Sequence, residues 1–227
     1  MNVLAIGAHP DDIDIYAGGT MLRYAERGDT VKFCVVTSGN IGHYDYDRAE
    51  LAAKRKAEQL NSAAVAGAET LFLGMDERIV DDNPTRDAIV NAIRWADPDV
   101  IFTHWPDDSS VDHHVIGTIV KQALLCLKWK NQKTEYPPIS KLPKVFFWEP
   151  NGGFHYQPEQ YVDITDQMER KRAMLACHKS QVELEQDYMH AIEAMGMYRG
   201  LQAGYAYAEG FKAHLSFENP PDYKLLP

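Results

Sequence analysis

Apolar positions along this chain fall into two patterns. Short, nearly continuous apolar runs occur at residues 2–7, Val31–Thr37, Thr70–Leu73, Asp99–Thr103 and Lys144–Trp148. Runs of this length, rich in Val, Ile and Phe and bounded by turn residues, predict buried strands. Between them lie longer stretches of helix formers: 17–27, 48–66, 84–96 and Asp112 to about Lys128. Gly28-Asp29 and Gly67 supply stop signals, and Pro84 suits a first helical turn.

The chain thus alternates strand and helix through its first half. Such alternation predicts an α/β fold, a mostly parallel sheet with helices on both faces. Residues 130–143, with Pro137, Pro138 and Pro143, read as a connector, and Gly152-Gly153 as a break. Tyr161–Ile164 is predicted as a strand, followed by a helix at 166–178 capped by Thr165 or Asp166. Residues 180–213 read as mostly helical, interrupted at Gly196, Gly200 and Gly204, and Asn219–Pro227 as extended.

Length and composition narrow the classes. A chain of 227 residues fits a single domain over 1–227 and buries roughly 70% of its unfolded surface. The net charge of −10 argues against nucleic acid, which needs a basic stripe, and against an anionic membrane surface. No apolar run approaches a membrane span, and the first residues lack the pattern of a signal peptide. Cys34, Cys126 and Cys177 have no CxxC spacing and read as reduced core thiols in a cytoplasmic protein. Neither a GxGxxG turn nor a P-loop occurs, so nucleotide binding has no motif behind it.

Chemistry concentrates where the first predicted strand ends. His9-Pro10-Asp11-Asp12 places one imidazole and two adjacent carboxylates at a stiffened turn, with Asp14 close behind. In open α/β sheets, ligands bind at the carboxyl ends of the strands. A catalytic zinc takes three His or carboxylate ligands and keeps a position for water. One imidazole and one carboxylate of this turn would supply two ligands, and the neighbouring carboxylate could act as general base. Asp112-His113-His114, after another predicted strand, is the source for the third, with Asp112 and Asp108 as carboxylates that orient a ligating imidazole. Taken alone, the first turn has a second reading as a helix cap and the double histidine one as a solvated pair; together they point to Zn2+ or another divalent metal.

These residues resemble a known family. Ala8-His9-Pro10-Asp11-Asp12-Ile13-Asp14 with Gly18-Gly19-Thr20 is similar to the opening signature of the LmbE-like, or PIG-L, zinc-dependent N-deacetylases. The similarity continues at Thr37–Asn40, Arg55–Glu58, Leu73-Gly74 with Asp76, Asp112-His113 with Gly117, Val162–Thr165, His178–Gln181 and Tyr207–Phe211. It implies a Rossmann-like single domain that removes acetyl groups from N-acetylglucosamine-type conjugates. It further implies His9, Asp12 and His113 as metal ligands, Asp11 as the base, Asp112 as its supporting catalytic carboxylate, and Arg55 and Asn40 beside the substrate.

One position departs from the pattern. The family's second motif reads His-x-Asp-His, its first His serving the oxyanion or the leaving amine, whereas this chain has Ser110 there. Either another imidazole substitutes, His104 or His114 being nearest in sequence, or the metal and Asp11 carry more of the load, or activity is reduced or different. The expected function is metal-dependent hydrolysis of an N-acetylated amino sugar conjugate. The alternatives are a binding protein that kept the fold and lost turnover, and an amidase for a different sugar amide. Substrate selectivity and the subunit contacts of a homo-oligomer are expected in the aromatic, proline-broken segments after residue 130.

Overall fold

The first strand, β1 (Asn2–Gly7), is buried on both sides and pairs with a parallel neighbour on each edge. Its side chains alternate between two cores: Leu4 and Ile6 enter one, Val3 and Ala5 the other. Burial on both faces is why the strand is continuously apolar rather than alternating. The computed structural model describes residues 1–184 and 187–216, and Asn219–Pro227 lies outside them.

In chain order, β1 is followed by α1 (Asp12–Glu26), β2 (Thr30–Thr37), α2 (Arg48–Ala66), β3 (Glu69–Met75), α3 (Asn83–Ala96), β4 (Val100–Thr103), α4 (Val111–Ala123) and β5 (Lys144–Trp148). The second half adds β6 (Gln160–Asp163), α5 (Met168–Leu175), α6 (Lys179–Val182), α7 (Tyr188–Ala203) and β7 (Ala208–Ala213). The seven strands form one sheet in the order β3-β2-β1-β4-β5-β7-β6. Strands β1 to β5 are mutually parallel, and β7 runs antiparallel to both β5 and β6. Side chains of α3 and α4 fill the core on one face, and those of α1, α2 and α5 the core on the other, so helices cover both faces.

The strand order reverses between β1 and β4. A crevice opens at such a switch point outside the carboxyl ends of the strands. The turn after β1 and the segment after β4 both enter it, which brings His9–Asp12 and His104–His113 to the same place.

Several boundaries differ from those the sequence predicts. Helix α1 starts at Asp12, not near residue 17, with Asp11 in the N-cap position and making no side-chain capping bond. Helix α4 ends at Ala123. The turns beyond it are gathered by buried Arg94, whose guanidinium donates to the carbonyls of Cys126, Leu127, Trp129 and Gln132 and to the Thr134 hydroxyl. Neither Thr165 nor Asp166 caps α5: a 3-10 turn at Thr165–Gln167 leads into it, and Asp163 accepts from the Thr165 amide at 3.0 Å.

The largest correction concerns residues 180–213. Helix α7 runs through Gly196 and Gly200 and ends at Gly204, whose φ of +82° closes it. The two internal glycines give room instead: a Cβ on Gly200 would lie 2.6 Å from the Tyr205 carbonyl oxygen. Residues 208–213 are strand β7, although Ala-Glu-Gly-Phe-Lys-Ala carries no β-branched residue. Pairing on both edges decides its conformation. Buried Glu209 of β7 accepts from the amides of Gly19 and Thr20 and from Lys171.

Of the three thiols, Cys34 is buried, Cys126 and Cys177 are partly exposed, and none is disulfide-bonded. Among the described residues no helix is long and apolar enough to cross a membrane.

Candidate active site

The turn after β1 is held from outside by α2. Arg55 donates through Nη2 to the Pro10 carbonyl (2.6 Å) and through Nη1 to the Gly39 carbonyl (3.0 Å). Gln59 Oε1 accepts from the Asp11 amide at 3.0 Å. Within this grip Asp11 adopts φ 107°. A non-glycine residue in such a region costs about 1–3 kcal/mol and persists only where its surroundings fix it. The result is that Asp11 and Asp12, adjacent in sequence, project in different directions.

Asp12 projects toward two histidines. Its Oδ2 lies 3.4 Å from His9 Nδ1 and its Oδ1 lies 3.3 Å from His113 Nε2, while those two nitrogens are 3.3 Å apart. The far nitrogen of each ring meets a carboxylate. His9 Nε2 donates to Asp112 Oδ2 (3.0 Å), and His113 Nδ1 donates to Asp108 Oδ2 (3.1 Å). Asp112 is itself fixed by the amides of Arg78 (3.1 Å) and Ile79 (2.9 Å).

In the neutral rings this arrangement leaves the inner nitrogens of His9 and His113 as acceptors beside the Asp12 carboxylate. Ligand atoms of the three residues lie within 4.8 Å of one another, and Asp12 Oδ2 also accepts from the His9 amide at 2.7 Å. That donor set fits a divalent cation of the zinc type, bound by two neutral imidazoles and one carboxylate, with carboxylates orienting the rings from behind. The electrostatics agree. Burial alone lowers the pKa of both histidines, but Asp12 and Asp112 raise His9 to about 10, and Asp12 and Asp108 raise His113 to about 9. Burial opposes ionisation of Asp12 too, yet His113, His104 and His9 hold it well below the usual carboxylate range. The cluster attracts positive charge.

Asp11 faces α2. Its Oδ2 accepts from Arg55 Nη2 at 3.1 Å, and Oδ1 has no donor among the described residues. Burial pushes this carboxyl up, with the Arg55 charge opposing and Asp12 adding to the rise. Behind it lies a buried polar network centred on Asp14. His178 Nε2 donates to Asp14 at 3.0 Å, Ser62 donates through its hydroxyl, and Gln59 Nε2 lies 3.4 Å away. Gln59 therefore links Asp14 to the amide of Asp11.

The other predicted residues are distributed unevenly. Arg55 is buried and committed to the turn and Asp11 rather than open to a ligand. Asn40 donates to Asp76 (2.6 Å), its Oδ1 has no partner, and it borders a cleft of about 610 Å³ with Pro10, Arg48, Lys56 and Phe72. His104, predicted as substrate-binding, is fully buried beneath the cluster. Its Nε2 lies between the Ala8 amide (2.9 Å) and Asp12 Oδ2 (3.1 Å), and Trp148 donates to Nδ1 at 3.1 Å. Burial and the neighbouring His113 hold it down to about 4, so it is a neutral support for Asp12. His114 is exposed and turned to the Pro106 carbonyl. Ser110 is the N-cap residue of α4, with no side-chain capping bond.

Sequence reasoning overlooked two tyrosines. The Tyr16 ring stands edge-on to His104 and to His113, centroids 6.0 Å apart in each case. Tyr188, at the start of α7, has its hydroxyl raised to about 12 by burial and the charges of Asp11 and Asp12. Tyr16 follows Asp12 by one helical turn, a spacing that signals a shared face only once the helix is known to start at Asp12.

Comparison with known proteins bears on this geometry. The family model described as PIG-L, GlcNAc-PI de-N-acetylase, matches residues 4–124. A diacetylchitobiose deacetylase of Thermococcus kodakarensis is 29% identical, over 92% of this chain and 82% of its own. A 4-oxalmesaconate hydratase of Pseudomonas putida is 24% identical, over 89% and 81%. The solved structure of the N,N'-diacetylchitobiose deacetylase from Pyrococcus horikoshii superposes with a TM-score of 0.84 at 25% identity, covering 93% of this chain and 83% of that one. With the family model spanning more than half of its residues and the fold shared with solved members, the chain belongs to the PIG-L, or LmbE-like, family.

Proposed function

We propose that this chain is a zinc-dependent hydrolase that removes the N-acetyl group from an N-acetylglucosamine-type sugar conjugate. The observation that carries the proposal is the convergence of three ligand atoms, on His9, Asp12 and His113, next to the partly free carboxylate of Asp11. Deacetylases among the relatives support the substrate class. One sheet through all seven strands supports treating residues 1–227 as one domain.

His9, Asp12 and His113 would hold the metal, which when bound supplies Lewis-acid polarisation of the acetyl carbonyl and lowers the pKa of a water to roughly 7. Asp112 and Asp108 keep the two imidazoles in the ligating tautomer, and His104 steadies Asp12 from below. Asp11 takes the proton of the attacking water. Its raised pKa makes it a better base than an exposed carboxylate, and the Arg55 charge keeps it ionised before the reaction. The same carboxyl then returns the proton to the leaving nitrogen. The chemistry consumes one water and releases acetate and a free amine. Asn40 borders the cleft beside Pro10 with its amide held by Asp76, which supports a place for it beside the substrate.

A second reading has a specific observation behind it. Ser110 stands where the family pattern has a histidine, and one relative is named as a hydratase. Addition of water to an activated double bond would use the same metal and base without a leaving amine. The metal-loaded protein, offered N,N'-diacetylchitobiose, simple N-acetylglucosamine glycosides and 4-oxalmesaconate, separates the two. Acetate release from an amino sugar supports deacetylation; turnover of the unsaturated acid alone, without acetate, replaces it with hydration.

A further inference from the structure

Amide hydrolysis gains from a donor to the acyl oxygen as it gains charge, and neither imidazole predicted for that part is available. His104 is sealed beneath the cluster, and exposed His114 is turned to the Pro106 carbonyl. We propose that the Tyr16 hydroxyl is this donor, binding the acyl oxygen of the substrate in the transition state. The inference rests on the amide-hydrolase reading above and adds a catalytic residue to it.

Tyr16 lies one turn beyond Asp12 on the same face of α1. Long side chains on a helix lean back toward its N-terminus, over the preceding turn, so the phenol is carried toward the ligand carboxylate. Its ring is fixed on three sides. It stacks on buried Trp148 (centroids 6.0 Å apart, planes 20° apart) and meets His104 and His113 edge-on at 74° and 82°. The hydroxyl bonds to no other group among the described residues and is not fully buried.

The surroundings leave it free for a ligand. Tyr16 borders a cavity between β7, α7 and the 3-10 turn at Asn151–Gly153. The charged groups of that cavity are spent on one another: Arg199 pairs with Glu149, and Lys171 with Glu209. Tyr16 therefore offers an unengaged donor where the charged groups are engaged.

Topology puts base and donor on opposite flanks. Asp11 is held by α2, which follows β2 on one side of β1. Tyr16 is held by His104, just after β4, and by Trp148, which ends β5, on the other side. Water activated by Asp11 attacks from one flank, and the acyl oxygen is received on the other. The water oxygen bonds to the acyl carbon, the C–N bond breaks, and the proton held by Asp11 passes to the nitrogen. Tyr16 keeps its own proton throughout.

The test uses the full-length, metal-loaded protein and its Tyr16→Phe and Ser110→Ala variants. Phenylalanine preserves the ring packing and removes only the hydroxyl. Loss of one oxyanion donor predicts a kcat lower by about 10² to 10³ in Tyr16→Phe, with KM, metal content and melting temperature near wild type and Ser110→Ala within about threefold. Binding of acetate to the metal-loaded protein, followed by calorimetry, is a second readout that needs no turnover. There Tyr16→Phe should bind about tenfold more weakly, as fits the loss of one hydrogen bond to a charged group. A wild type that releases no acetate defeats the hydrolase reading, and the acetate titration still decides Tyr16. Equal acetate affinity in wild type and Tyr16→Phe, absence of binding included, overturns the proposal, as does a kcat within twofold of wild type.

Discussion

His9 Nδ1 and His113 Nε2 face each other at 3.3 Å, and when both rings are neutral with the proton on the far side, neither donates to the other. Asp112 and Asp108 cause this, because each takes the proton on the far side of one ring. Two acceptors held this close repel unless a cation lies between them. Asp12 closes the third side. A pair of remote carboxylates would thus turn two histidines from different elements into two of the three proposed ligands.

The two neighbouring histidines of α4 should behave differently. His113→Ala removes one of the three acceptors and should leave much less than one equivalent of divalent metal after dialysis, with activity lost in parallel. His114→Ala changes only an exposed side chain and should retain metal and turnover. Elemental analysis of both variants after reconstitution checks this; the opposite pattern would mean that the wrong imidazole has been assigned.

The metal-free protein should lose stability in alkaline solution. Folding raises the pKa of His113 to about 9 and of His9 to about 10, above about 6.5 for an unperturbed imidazole. A group with a raised folded pKa stabilises the fold fully below its unfolded pKa and loses that contribution as pH rises through the folded pKa. The melting temperature of the metal-free protein should therefore fall between about pH 6.5 and 10. A bound cation takes the place of the protons, so the metal-loaded protein should show a flatter profile and should release protons on binding. Calorimetry in both states across this range is the measurement.

Gln59 is the link between the Asp14 network and the strained amide of Asp11. Gln59→Leu leaves that amide without its acceptor, at a stability cost of about 1–3 kcal/mol. It also frees the base to shift, and a misplacement of order 1 Å can cost about 10²-fold in rate. Metal content should stay near wild type, since none of the three convergent acceptors is touched. Denaturant melts together with kcat on the reconstituted variant test it; unchanged kcat would show that Arg55 alone fixes Asp11.

Much of this site is legible in sequence because its parts are local. His9, Asp11 and Asp12 share one turn, and Asp108, Asp112 and His113 surround the start of one helix. What joins them is the switch point between β1 and β4, and strand alternation is enough to suggest it. Illegible features depend on contacts between distant segments. Tyr16 acquires meaning only from Trp148 and His113, and Gln59 only from the Asp11 amide. The assignment of His104 failed for the same reason: nearness in sequence to the second motif does not reveal that its ring lies under Asp12. Strand β7 was missed because its residues have little strand preference of their own.

Gly117 sets the approach of α4 to β4. A Cβ there would run into the backbone carbonyl of His104, which cannot yield as a flexible side chain can. Gly117→Ala should destabilise the fold by about 1–3 kcal/mol, the usual cost of overpacking a filled core. It should also weaken metal retention, because His113 lies one turn earlier on the same helix. Denaturant titration and metal analysis check both; wild-type values in each would mean that the two elements slide apart freely.

The central claim is that His9, Asp12 and His113 hold a metal while Asp11 serves as the base, and Asp11→Asn separates the two tasks. The measurement is acetate release from N,N'-diacetylchitobiose or another N-acetylglucosamine conjugate, with metal content determined on the same samples of wild type and Asp11→Asn. The account predicts about one equivalent of metal in both and a rate lower by about 10² to 10⁴ in the variant, the range for losing a general base. Equal rates in the two proteins, or a wild type that binds no divalent metal after reconstitution, would contradict it.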